Sequence, residues 1–186
     1  MNKNELREWK TLSEERLFDT RWLKIGKEVC ELPNGKVIND FYTIWQPDWV
    51  LILPQTTEGK WILTRQYRHG TRSISMEFPA GIVEAGEDHL AAAKRELEEE
   101  AKLLGGKYDF IGEFPMNPDR HRGRFFVYLA TGVVPGGSAK ADDTEDIRTL
   151  ALTTNELEFK MRSGEFFHAL QMAAYFKAKL MHGELF

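Results

Sequence analysis

Between Gly81 and Leu103 the chain reads GIVEAGEDHLAAAKRELEEEAKL, and it concentrates carboxylates in a way that folding alone does not require. Asp88 suits the N-cap of a run, Leu90 to Leu103, made of strong helix formers. At about 3.6 residues per turn the run predicts a helix of about four turns. Leu90, Ala93, Leu97 and Ala101 then recur every three or four residues as a stripe for burial, while Glu96, Glu99 and Glu100 share one turn on another side. Like charges about 5 Å apart at an effective dielectric of about 20 repel by about 3 kcal/mol per pair, and by less where water screens them. Two readings stay open from the residues themselves. The cluster is either a solvated face laced by pairs such as Glu98 with Lys102, or a site for a hard divalent cation, which prefers oxygen ligands.

The rest of the chain must supply the elements that hold such a helix. Its 186 residues, 42% hydrophobic and 29% charged, suffice for one core of ordinary size and a small extra subdomain. A net charge of -4 offers no basic face to nucleic acid, so no nucleic-acid partner is expected. The single cysteine, Cys30, excludes an internal disulfide and a cysteine zinc site. No charged-then-apolar leader and no apolar run near 18 residues occur, so the expectation is a cytoplasmic protein without a membrane segment.

Residues 1 to 15 read as polar and ragged apart from Trp9. Trp22 to Glu31 and Lys36 to Trp45 flank the turn Pro33-Asn34-Gly35 and read as a hairpin whose second arm is too aromatic to be buried alone. Such a ribbon must lie against the main domain or a second subunit. Trp49 to Leu53 is a continuous apolar run, the pattern of a central strand buried on both faces. Trp61 to Tyr67, Ser75 to Pro79, Asp109 to Phe114, Arg124 to Ala130 and Ile147 to Leu152 are strand-like, and Pro115 to Gly123 is an irregular basic loop. Thr154 to Arg162 reads as a helix closed by Gly164, and Phe166 to Leu180 as an amphipathic helix. This order predicts a mixed sheet sandwiched by helices.

Gly81, Glu87, Arg95-Glu96-Leu97 and Glu99-Glu100, at these spacings, resemble the signature of the Nudix hydrolases. The closing glycine of that signature is Lys102 here, so the helix is expected to run on to Gly105-Gly106, which can supply a left-handed cap. Arg65-Gln66-Tyr67-Arg68 and Glu77-Phe78-Pro79-Ala80-Gly81 are similar to segments of the ADP-ribose and nucleoside-diphosphate-sugar branch. The resemblance implies an α/β (α+β) Nudix fold, a mixed β-sheet in an α/β/α sandwich. Residues 1–46 would form an N-terminal antiparallel strand subdomain with a dimer contact, and residues 47–186 the hydrolase domain. It further implies Mg²⁺-dependent hydrolysis, with Mn²⁺ as a substitute, of the pyrophosphate bond of ADP-ribose or a related nucleoside diphosphate sugar. The products would be a nucleoside monophosphate and a sugar phosphate; the aromatic ribbon adds the expectation of a homodimer.

By the same resemblance Glu96 and Glu100 are the main metal ligands, Glu99 assists, and the Ala80 carbonyl adds an oxygen. Glu87 either touches the metal or holds its loop through Arg95. Glu99, Glu100 and Glu145 are the candidate catalytic groups. Glu145 stands in a Glu-Asp-Ile-Arg stretch that looks like the end of the catalytic loop in bacterial ADP-ribose pyrophosphatases, where it would polarise the attacking water; the other reading is a solvated acidic loop. Arg65 or Arg68 would fork onto phosphate, or pair with an acidic neighbour. Tyr42 and Trp45, or Phe41, would stack on a base, or belong to a core. Arg120 and Arg122 depart from the branch pattern: they would meet a sugar or terminal phosphate, leaving sugars such as mannose open, or decorate a solvated loop. Two further readings are a hydrolase of nucleoside triphosphates or dinucleoside polyphosphates, and a catalytically silent nucleotide-binding module.

Overall fold

The computed structural model describes residues 5–20, 23–138 and 146–186. The chain divides into two units, Met1–Pro47 with Pro115–Gly123, and Asp48–Phe114 with Arg124–Phe186. In the first unit β1 (Lys10–Asp19), β2 (Lys24–Glu31) and β3 (Val37–Trp45) pair antiparallel in sequence order. The turn between β2 and β3 uses Gly35 at φ 82°, a conformation that only glycine adopts without strain. β1 occupies a stretch whose first half the sequence pattern assigns to a ragged terminus. All ten of its residues are exposed, so it carries no alternation of apolar and polar positions from which a strand can be read.

The second unit contains β4 (Trp49–Thr56), β5 (Trp61–Arg68), β6 (Ser73–Glu77), β7 (Ala80–Ile82), α1 (His89–Ala101), β8 (Leu103–Leu104) and β9 (Lys107–Pro115). The two-residue β10 (His121–Arg122) then returns to the first unit and runs parallel to β3. It lies in the segment expected to be an irregular loop. β11 (Arg124–Pro135), β12 (Arg148–Leu152), α2 (Thr154–Ser163) and α3 (Ala169–Met181) complete the second unit, before a short 3-10 turn at Gly183–Leu185.

β4 is the axis of this unit. It runs parallel to β11 from Trp49 opposite Phe125 to Gln55 opposite Thr131, and antiparallel to β7. Side chains alternate across a strand. Val50 and Ile52 therefore pack with Ala92, Ala93 and Leu97 of α1, together with Tyr128 and Ala130 of β11. Leu51 and Leu53 face the other way, in a cluster with Leu157 of α2, Ala174 and Tyr175 of α3, and Val127 and Leu129 of β11. Burial on both faces explains the continuous apolar run, and each such side chain contributes about 1.5–3 kcal/mol. The result is the expected α/β/α sandwich with a mixed sheet.

Helix α1 does not run on to Gly105-Gly106. It stops at Ala101, and Lys102 itself takes the left-handed cap at φ 55°, its N–H donating to the carbonyls of Glu98 and Leu97. Tertiary pairing overrides helix propensity here. Leu103 and Leu104 are captured as β8 against Pro135 and Val134, and the Gly136 N–H donates to the Lys102 carbonyl. The left-handed conformation costs a non-glycine residue about 1–2 kcal/mol. Lys102→Gly should therefore raise stability by about 1 kcal/mol, or about 2–4 °C in a thermal melt; a lower melting temperature would contradict this assignment of the strain.

Helices α2 and α3 are clamped by Glu158, which accepts hydrogen bonds from Lys179 and from the Tyr175 hydroxyl and lies beside Arg162. The Lys179 hydrogen bond holds the Glu158 carboxyl below its ordinary value of 4.5, although burial works the other way. A depressed carboxylate adds stability above that ordinary value and loses it as pH falls through the depressed one. Glu158→Gln is expected to lower the melting temperature at pH 7 and to make progressively less difference as the pH falls well below 4.5. An equal loss across that range would show that the ion pair is not the source.

Candidate active site

The loop from Gly81 to Asp88 and the first turns of α1 are organised by one guanidinium. Arg95 donates from Nε to Glu87 Oε1 at 3.0 Å and from Nη2 to Glu87 Oε2 at 2.9 Å, a two-point fork onto a loop carboxylate. Nη2 also donates to the Ile82 carbonyl at 3.0 Å. Nη1 donates to Glu96 Oε1 at 2.7 Å and to Glu99 Oε2 at 3.0 Å. The repulsion expected among these glutamates is thus offset by a shared cation. The Glu87 fork raises the Arg95 pKa further above its ordinary value, and Arg95 in turn holds the Glu87 carboxyl below its own. Of the two roles left open for Glu87, holding the loop is the one this geometry serves. Asp88 caps the helix as expected, its Oδ1 accepting from the N–H groups of Leu90 and Ala91.

Gly81 and Ala80, in β7, form the floor under the glutamates. A methyl group on Gly81 would lie 2.0 Å from the Glu96 carboxyl carbon, so the missing side chain is the space in which that carboxylate sits. The Ala80 N–H donates to Glu100 Oε2 at 3.1 Å, which draws a second carboxylate onto the same stretch of backbone. Among the described residues no three His, Cys, Asp or Glu side chains converge as a ready-made metal cage. Arg95 stands between Glu96 and Glu99, with an oxygen of each on its Nη1. The donor set still fits a hard divalent ion: three carboxylates on one helical turn, one of them seated in a cradle that a Cβ would fill.

Arg68 and Arg65 lie on β5. Arg68 forks onto Glu77, Nε at 3.0 Å and Nη2 at 2.6 Å, and Glu77 is 2% exposed. Burial pushes the Glu77 carboxyl up and Arg68 more than reverses it, so the group ionises below its ordinary range. Arg65 is exposed. Tyr42, Trp45, Arg120 and Arg122 all belong to the other unit. There the Arg122 Nη2 donates to the buried Glu28 at 2.6 Å, and the guanidinium lies 4.4 Å from the centre of the Trp45 ring, which Arg16 also approaches, at 4.5 Å. Arg120 donates to the Tyr42 carbonyl and lies over Phe41, while the Tyr42 side chain is exposed. Glu145 lies outside the described residues.

Two groups near the site carry no sequence signal. Gln171 of α3, 1% exposed, accepts from the Phe78 N–H at 2.6 Å and donates to the Phe78 carbonyl at 3.4 Å, clasping the backbone two residues before Ala80. His89, the first residue of α1, hydrogen-bonds the Tyr128 hydroxyl and stacks on Phe126 at 4.5 Å, tying the helix start to β11. The Gln171 contact joins residues 93 positions apart, which no local pattern reveals.

Comparison with known proteins agrees with this geometry. Residues 46–170 match the NUDIX domain, and residues 9–44 match the nucleoside diphosphate sugar hydrolase N-terminal domain. The chain is 31% identical over 163 residues to an ADP-ribose pyrophosphatase of Bacillus subtilis, covering 87% of this chain and 88% of that one. It is also 31% identical over 150 residues to a methanol dehydrogenase activator of Bacillus methanolicus, covering 80% of each. A crystal structure of an ADP compounds hydrolase shares the fold with a TM-score of 0.85 at 22% identity, over 97% of both chains. A domain match over most of the chain, carried by residues that meet around Arg95, leads to one conclusion: the chain belongs to the Nudix family.

Proposed function

We propose that this protein hydrolyses the pyrophosphate bond of ADP-ribose or a related nucleoside diphosphate sugar, releasing a nucleoside monophosphate and a sugar phosphate. The observation that carries the reading is the turn of glutamates seated on Gly81 and Ala80 and organised by Arg95, in a chain whose relatives include an ADP-ribose pyrophosphatase. The Ala80 carbonyl, Glu96, Glu99 and Glu100 would hold the divalent cation on which Nudix hydrolases generally depend; Mg²⁺ is the proposed ion, with Mn²⁺ as a substitute. When bound, it neutralises phosphate charge and acidifies water. Arg95 keeps Glu96 and Glu99 oriented through a donor it shares between them. Glu145 is the proposed general base, since a carboxylate outside the ligand set retains its basicity. Arg68 and Arg65 are the proposed phosphate contacts, with Arg68 held in place by Glu77.

The proposed assembly is a homodimer. β1 leaves Leu12, Leu17 and Phe18 exposed, and Trp9 just before it is also exposed, which supports burial of this ribbon against a second copy. Tyr42 and Trp45 are proposed to stack on the base, and Arg120 and Arg122 to face the sugar or terminal phosphate. The domain division at residues 46 and 47 and the cytoplasmic location are part of the same proposal. Among the described residues no helix is long and apolar enough to cross a membrane.

Glu96→Gln and Glu100→Gln should each lower Mg²⁺-dependent turnover of ADP-ribose by at least about 100-fold while leaving the melting temperature within a few degrees, since lost metal ligands cost more than the roughly 10–100-fold typical of outer-shell partners. Wild-type rates in both variants would refute the assignment. A product analysis with ADP-ribose, ADP-glucose, GDP-mannose and UDP-glucose should yield a sugar phosphate; cleavage confined to nucleoside triphosphates would move the protein to another branch. Gly81→Ala should fold, because the end of the Glu96 side chain can swing aside, yet require at least about tenfold more Mg²⁺ for half-maximal rate. An unchanged Mg²⁺ requirement would mean that the cradle has no part in ion binding.

A further inference from the structure

The unit that holds the glutamates also contains a cavity of about 400 Å³, with Trp49, Arg68, Ser75, Glu77, Phe167 and His168 among its lining residues. That volume falls within the roughly 300–1,000 Å³ typical of small-molecule sites. Two buried polar atoms at this cavity lack hydrogen-bond partners among the described residues, Ser75 Oγ and His168 Nδ1. Ser75 is 0% exposed. Its hydroxyl lies near enough to Glu77 to help steady the charge on that carboxylate, but not in hydrogen-bonding geometry. Buried polar atoms in folded proteins are nearly always satisfied, so a pair left open on one cavity calls for a partner there, water or the polar groups of a ligand that displaces it.

The chemistry of the lining narrows that occupant. An ionised carboxylate has about four acceptor positions, and the Arg68 fork uses two of those on Glu77. Burial lowers the His168 pKa, which favours a neutral ring with one acceptor nitrogen. A hydroxyl serves as donor or acceptor, and Trp49 and Phe167 add apolar walls. A site rich in acceptors suits an uncharged ring bearing several hydroxyl donors. The acceptor-lined edge of a base would find too few donors.

We propose that this cavity, in place of Arg120 and Arg122, seats the sugar ring of the diphosphate substrate, its hydroxyls donating to Glu77 and His168 and pairing with Ser75, its C–H faces against Trp49 and Phe167. The proposal rests on the hydrolase reading given above. Three residues of extended chain, about 10 Å, separate Glu77 from Ala80, a span suited to a sugar attached directly to a diphosphate. Among the described residues neither open polar atom makes a hydrogen bond of good geometry, so replacing these side chains chiefly removes a ligand contact.

The test compares the wild type with the double variant Ser75→Ala, His168→Leu on ADP-ribose, ADP-glucose and the β-methyl ester of ADP, which has the same adenosine diphosphate and no terminal sugar. The expected result is a loss of at least about tenfold in kcat/KM on both sugar substrates with the methyl ester unaffected. An equal loss on all three, no loss on any, or a change that follows the base in GDP-linked analogues instead of the sugar would overturn the proposal. Saturation-transfer NMR of ribose 5-phosphate needs no turnover. Signals from its ring protons in the wild type that vanish in the double variant support the cavity even if no diphosphate is cleaved, in which case hydrolysis alone fails. Signals that persist in the variant overturn the cavity alone.

Discussion

The Arg95 guanidinium is the constraint on which the rest of the site depends. Glu96 and Glu99 on one turn of the helix and Glu87 in the loop before it would push one another apart, and a helix of this length gains too little from propensity to hold them. Arg95 resolves the conflict with a planar cation whose donors diverge. Two reach Glu87 in the loop, one of these also reaches the Ile82 carbonyl at the end of β7, and the third is shared between Glu96 and Glu99 on the helix. A lysine at the same place offers a point charge and cannot reproduce that fork. The loop and the helix are therefore one rigid object.

That object is useful only because the sheet beneath it is fixed. β4 is buried on both faces and pairs with β7, so the backbone at Ala80 and Gly81 is registered against Leu51 and Val50. Helix α1 is set on the same strand by Ala92, Ala93 and Leu97, and on the far side Gln171 clasps the Phe78 backbone. Gly81 then has a steric role. Its backbone conformation is open to other residues, but the place of its side chain is taken by a carboxylate.

Much of the site was legible because it is local. Gly81, Glu87, Arg95, Glu96, Glu99 and Glu100 fall within one short stretch, and helical periodicity alone placed the glutamates on one turn. The continuous run at Trp49 to Leu53 likewise disclosed a strand buried on both sides. What could not be read depends on distant partners. The strand at Lys10–Asp19 is exposed throughout and lacks an apolar alternation. The end of α1 has no local signal, because Lys102 is a good helix former and Gly105-Gly106 lies ahead, whereas pairing of Leu103 and Leu104 with β11 decides where the helix stops. Pairings such as Arg68 with Glu77, or Arg122 with Glu28, 94 positions away, become visible only once strand register brings them together.

The central claim is that Arg95 preorganises the carboxylates for a divalent ion, and Mn²⁺ affinity measured by electron paramagnetic resonance in the wild type and in Arg95→Lys tests it most directly. The account predicts a folded variant whose affinity for Mn²⁺ is weaker by at least about tenfold, because the charge is kept and the fork is lost. Equal affinity in the two proteins would contradict it.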